Sequence, residues 1–141
     1  MGLYNISYKD KERDDLINSE MGNPYSLMGK LKLGGVGSRR LIIENLSANM
    51  NHIKLKVAGI QYGSIEIRPQ GIIVHINQGL DVFAWTIPFY RLSIFNGDFF
   101  TIHGNGEYLQ FNKQKSWTEN DVFIKKMLRL KLEFSQSQGI S

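Results

Sequence analysis

The spacing of hydrophobic positions divides the chain into a strand-like middle and a helical end. Between residues 25 and 112, apolar residues alternate with polar ones in short runs. Leu31 and Leu33 alternate with Lys30 and Lys32, Ile53, Leu55 and Val57 with Lys54 and Lys56, and Ile65 and Ile67 with Glu66 and Arg68. A period of two sends successive side chains to opposite faces of a pleated strand, so these runs predict half-buried strands. Denser apolar runs follow at Ile72-Ile73-Val74-His75-Ile76 and Val82-Phe83-Ala84-Trp85-Thr86-Ile87. Turn residues separate the runs. Gly34, Gly35 and Gly37 read as a hairpin loop between the Leu31 strand and a returning Arg40-Leu41-Ile42-Ile43 strand. Pro88 lacks a ladder donor and marks a strand end, edge or bend. Asn96-Gly97 and Asn105-Gly106 each suit the positive φ angles of a type I′ turn, which predicts a meander.

Past Thr118 the period lengthens. Phe123, Met127, Leu130 and Phe134 recur at helical spacing, with Ile124 and Leu128 beside them and Lys125, Lys126 and Arg129 opposite. That pattern predicts one amphipathic helix over about residues 118–134, with Thr118 as its cap and the polar tail 135–141 outside it. At the other end, residues 8–20 are polar around Leu16 and Ile17, and read as a short helix or a loose arm. Met21-Gly22-Asn23-Pro24 then stops any helix. The expected organisation is an N-terminal segment 1–24 followed by one β-rich domain over 25–141, without internal repeats.

Composition sets limits on chemistry. The chain has 141 residues, 42% of them hydrophobic and 21% charged, which suits one folded domain with one core. It has no cysteine, which removes disulfides, thiolate metal sites and cysteine nucleophiles, and makes a cytoplasmic location the default expectation. No signal peptide, lipidation motif or membrane span is expected, because charges begin at Lys9, Ile6 stands where the myristoylation pattern asks for Ser or Thr, and the longest strongly apolar stretch, residues 82–90, is too short. The net charge of +4 is unevenly spread: residues 21–57 hold six basic groups against one acidic, whereas 58–112 hold two against four. Clustered basic charge is receptive to anions.

A run of about nine strands closed by one helix must bury the helix's apolar stripe against a curved sheet. The stretch from Ser64 to Leu132 resembles the pleckstrin-homology-like superfold of small bacterial proteins, particularly Ile65-Glu66-Ile67-Arg68-Pro69-Gln70-Gly71-Ile72-Ile73, Phe83-Ala84-Trp85-Thr86-Ile87-Pro88-Phe89-Tyr90-Arg91-Leu92 and the closing helix. The resemblance implies a mainly β fold of the α+β class, a barrel of meandering antiparallel strands capped by the C-terminal helix. In lipid-binding members of that family, basic residues of the first hairpin grip a phosphorylated headgroup. Carried onto this chain, the family's pattern points to Lys30, Lys32, Arg39 and Arg40, bracketing the glycine loop, as an anion-binding set. A basic residue the family places shortly before its last arginine is replaced here by Gly37 or Ser38. The alternative is a solvated hairpin whose charges serve solubility and edge protection.

Catalytic parts are sparse. His52, His75 and His103 fall on separate predicted strands and pair neither with one another nor with a nearby carboxylate, so no metal site is expected. There is no G-x-S-x-G elbow and no H-E-x-x-H helix, and the glycines fit neither phosphate-binding motif. Glu66, Asp81, Asp98 and Glu107 form no obvious acid pair. The aromatic residues from Phe83 to Phe111 read as core, and the net negative charge of their segment argues against a nucleic-acid platform. The expectation is a non-catalytic binding or scaffold module without cofactor, whose partner is a protein or an anionic phospholipid headgroup. A small-molecule carrier or a small enzyme with a pocket is the alternative.

Overall fold

The computed structural model describes residues 2–113 and 115–138. Eight strands form one antiparallel sheet: β1 (Gly2–Asn5), β2 (Leu41–Leu46), β3 (Gln61–Arg68), β4 (Gly71–Gln78), β5 (Asp81–Pro88), β6 (Ser93–Asn96), β7 (Phe99–Gly104) and β8 (Glu107–Asn112). Helices are α1 (Lys11–Met21), α2 (Leu27–Leu33), the single turn α3 (Lys115–Thr118) and the long α4 (Asp121–Ser137). The strand order is β1-β5-β4-β3-β2-β8-β7-β6, so the ladder stays open with β1 and β6 at its ends. The fold is mainly antiparallel β with one long C-terminal helix.

The two meanders, β3 to β5 and β6 to β8, share a core. Ile65, Ile67, Ile72, Val74, Ile76, Trp85 and Ile87 of the first pack with Phe100, Ile102, Leu109 and Phe111 of the second. The halves of the sheet press close together: a Cβ added at Gly104 would lie 2.7 Å from the Ile87 side chain. Helix α4 seals this core with Phe123, Ile124 and Met127, and farther along Phe134 lies 5.4 Å from Phe89, ring centre to ring centre. The apolar stripe seen at helical spacing is the buried one. Within the first meander, a Cβ at Gly71 would overlap the Ile87 carbonyl oxygen, so only glycine fits there.

Helix α1 covers the sheet's other face. Ile17 and Met21 pack on Ile73 and Ala84, with Tyr4 and Ile6 alongside. This explains why Ile72-Ile73-Val74 lacks alternation, since a strand buried on both faces reads as a continuous apolar run. Asp10 caps α1 by accepting from the Arg13 N–H, while the Arg13 guanidinium donates to the carbonyls of Asn5 and Tyr8 and holds the turn from β1. The N-terminal segment therefore contributes an edge strand, paired in register from Gly2 with Thr86 to Asn5 with Phe83, and a packed helix.

Several expectations are overturned. Leu31 and Leu33 are on helix α2, so residues 30–40 form no hairpin. Gly34 and Gly35 end that helix in a Schellman cap, with Gly34 left-handed at φ 74° and the Gly34 and Gly35 N–H groups donating to the carbonyls of Leu31 and Lys30. The Ile53-Leu55-Val57 alternation is not a strand. Residues 48–53 form a 3-10 turn, and the carboxamide of buried Gln61 bonds Ile53 O, Asn77 O and Leu55 N in place of a ladder. Asn105 and Gly106 take the positive φ of a type I′ turn, but Gly97 does not. Thr118 belongs to α3, and Asn120 is the N-terminal flank of α4, its carboxamide oxygen accepting from the Arg39 N–H. Helix α4 runs on to Ser137, beyond the expected end; residues 139–141 of the tail lie outside the described residues.

Candidate functional site

Helix α2 begins at Ser26, whose hydroxyl accepts from the Gly29 N–H, and ends at the glycine cap. In seven residues it carries four large apolar side chains and two lysines. Leu33 turns inward and packs with Tyr25 against the core. At about 100° per residue, Leu27, Leu31 and Met28 share an arc of about 100° opposite Leu33, and Lys30 and Lys32 border that arc on its two sides. The apolar arc faces solvent: Leu27 is 76%, Met28 65% and Leu31 70% exposed. Lys126 of α4 donates to the carbonyls of Gly34 and Gly35 at 3.0 and 2.8 Å, fixing the helix end to the body.

The four basic residues singled out in the sequence are all exposed but do not bracket a loop. Lys30 and Lys32 stand on α2. Lys30 also lines a shallow recess with Ser38, Ser64 and His75. Residues 36–38 run beside β3, with the Ile67 N–H bonded to Val36 O and the Ser38 N–H to Ile65 O. Arg39 follows, its backbone tied to Asn120, and the Arg40 guanidinium stacks 4.4 Å above the Tyr62 ring. Tyr62 and Ser64 are two residues apart on β3 and share a face, so Arg40 and Lys30 approach the same side of the sheet.

That face also holds an ion cluster absent from the sequence reading. His75 Nε2 is 3.0 Å from Glu66 Oε1, which corrects the expectation that no histidine pairs with a nearby carboxylate. The other oxygen of Glu66 accepts from Arg68 Nε, and the buried Arg68 guanidinium also donates to Asn18 Oδ1 and Gly22 O. Burial works to raise the Glu66 pKa, and the hydrogen bonds and charges of His75 and Arg68 outweigh it, so the carboxyl stays below its ordinary value. The signal was the spacing itself: in an antiparallel hairpin Glu66 and His75 are diagonal neighbours once Ser64 is set opposite His75. Because Arg68 joins α1 to β3, the cluster has a structural task.

At one end of the sheet a second recess, of about 290 Å³, lies among Leu3, Met50, Trp85, His52 and Glu107. Among the described residues, no three histidine, aspartate or glutamate side chains are grouped to hold a metal ion, and no helix is long and apolar enough to cross a membrane. The chain matches no known protein-family model, no curated protein and no solved structure.

Proposed function

We propose that the chain is a non-catalytic binding module that docks reversibly on anionic membrane surfaces through α2. The observation that carries this reading is the solvent-facing Leu27, Met28 and Leu31 bordered on both sides by Lys30 and Lys32. An isolated apolar arc on a folded domain costs solubility unless something covers it. Lysines at its margins match the negative surface of an anionic leaflet, with the leucine and methionine side chains entering the acyl boundary. Arg39 and Arg40 add exposed positive charge to the same basic segment.

Magnitudes favour reversible docking. Full burial of a leucine or methionine side chain is worth about 1.5–3 kcal/mol, and each lysine near an anionic surface about 1 kcal/mol. Three partly immersed side chains and two lysines hold the domain at a surface without anchoring it permanently. The pleckstrin-homology-like barrel plan remains part of this proposal, supported by two meanders followed by a helix against their core. A cytoplasmic location would present the domain to an anionic leaflet.

Sedimentation with vesicles tests the reading. The chain is expected to sediment with phosphatidylcholine vesicles containing phosphatidylserine and to stay in solution with phosphatidylcholine alone. Leu27→Asp with Leu31→Asp, and separately alanine at Lys30, Lys32, Arg39 and Arg40, are expected to abolish or sharply weaken sedimentation. Equal sedimentation of the variants and the unaltered chain would overturn the reading.

A further inference from the structure

The geometry points to a small-ligand site in the recess beside Trp85, shaped for a compact aromatic amine. It is independent of α2 docking. The recess opens where β1 and β5 meet the 3-10 turn of residues 48–53 and the turn between β7 and β8; it is open to solvent on one side and measures about 290 Å³. Its floor is apolar. Leu3 and Trp85 are cross-strand partners in the β1–β5 pairing; Trp85 and Met50, each only 2% exposed, close the base from beneath, and the half-buried Leu3 supplies most of the apolar surface open to a ligand. A flat hydrocarbon body is the complement of such a floor.

Its rim is rich in acceptors. Both oxygens of the Glu107 carboxylate are held in place, one by the Ser47 hydroxyl and the other by Asn49 Nδ2 at 3.0 Å. Each oxygen keeps a further lone pair, so the carboxylate is oriented without being used up. His52 Nδ1 lies 3.1 Å from the Asn49 carbonyl oxygen. A carbonyl only accepts, so Nδ1 carries the hydrogen, and the tautomer with a single ring hydrogen leaves Nε2 as an acceptor. Among the described residues, no lysine or arginine lines the recess. A protonated amine satisfies a carboxylate and an imidazole acceptor together, whereas a ligand carboxylate meets repulsion at Glu107. The volume is at the small end for binding cavities and suits a ligand of roughly ten heavy atoms, one ring with a short amine tail.

Tryptophan fluorescence reads this site directly. The chain has two tryptophans, and Trp117→Phe, replacing a ring that packs 4.7 Å from Phe100, leaves Trp85 as the sole reporter. In that background, phenethylamine is expected to give a saturable change in emission. Phenylacetate and 2-phenylethanol, which keep the ring but reverse or remove the charge, are expected to bind at least tenfold more weakly. Glu107→Gln is expected to weaken phenethylamine at least tenfold, and His52→Ala, at an exposed position with little bearing on folding, severalfold. Leu31→Asp is expected to leave the titration unchanged, which separates this site from the docking surface. The proposal is overturned by the absence of a saturable response, by equal binding of the three probes, or by unchanged affinity in both site variants.

Discussion

Glu66 and His75 stand on the neighbouring strands β3 and β4 with Oε1 and Nε2 3.0 Å apart, on the face that α1 covers. Arg68 completes the cluster and reaches across to Asn18 and Gly22, so one carboxylate organises the contact between the sheet and α1. Glu66→Gln keeps the shape and removes the charge. The expected cost is about 1.5–3 kcal/mol, the range for hydrogen bonds to charged groups, measured as a lower urea midpoint at neutral pH.

The same carboxylate sets a pH dependence. Its folded pKa lies below the ordinary value of 4.5, so the unfolded chain takes up this proton more readily. The stabilisation is therefore complete above about pH 4.5 and is lost as pH falls through the lowered folded value. Urea midpoints measured from pH 6 down to pH 3 should fall, and in Glu66→Gln this component of the fall should be missing. An identical pH profile in the variant would contradict the assignment.

Much of the core was legible in the sequence, and the reasons divide by element. The stripe Phe123, Met127, Leu130 and Phe134 spans several helical turns, enough repeats for its period to be unambiguous. Residues 61–88 alternate or run apolar between turn residues, as strands do. By contrast α2 has seven residues, and Lys30-Leu31-Lys32-Leu33 within it satisfies a period of two as well as a helical one. Ser26 at its start and Gly34 past its end were the signals that decide for helix. The four exposed basic residues were found, but the apolar arc beside them was hidden by reading its leucines as a strand face. Leu55 and Val57 misled for another reason. The side-chain amide of Gln61 fixes that segment, and no periodicity reports such a bond.

Gly34→Ala tests the reassignment of the glycine loop as a helix cap. The nearest atom to an added Cβ is Lys126 Nζ at 3.7 Å, so space is ample and the cost is conformational. A left-handed alanine is expected to cost about 1–2 kcal/mol, visible in thermal unfolding. Gly35→Ala, also at positive φ, is expected to act in the same direction.

Gln61→Ala removes the buried amide that serves the carbonyls of Ile53 and Asn77 and the N–H of Leu55. Leaving these groups unpaired is expected to cost about 1–3 kcal/mol. Hydrogen exchange should quicken at Leu55, while the amides of β7 keep their protection.

Docking through lysine-bordered leucines carries a salt dependence, since the charge component is screened and the apolar one is not. Binding to phosphatidylserine vesicles is expected to weaken several-fold as salt rises from about 0.05 M to 0.5 M, with the Debye length shortening accordingly. The variant with alanine at the four basic positions should show little of that dependence.

The most direct measurement places a fluorophore on α2 itself. The chain has no cysteine, so Leu31→Cys gives a single labelling position at the crest of the exposed arc, and Leu80→Cys, at the fully exposed tip between β4 and β5, gives a control. With the environment-sensitive NBD group at each position, phosphatidylserine-containing vesicles are expected to raise and blue-shift the emission at residue 31 and to leave that at residue 80 unchanged. An unchanged spectrum at residue 31, or equal changes at both positions, would contradict membrane docking through α2.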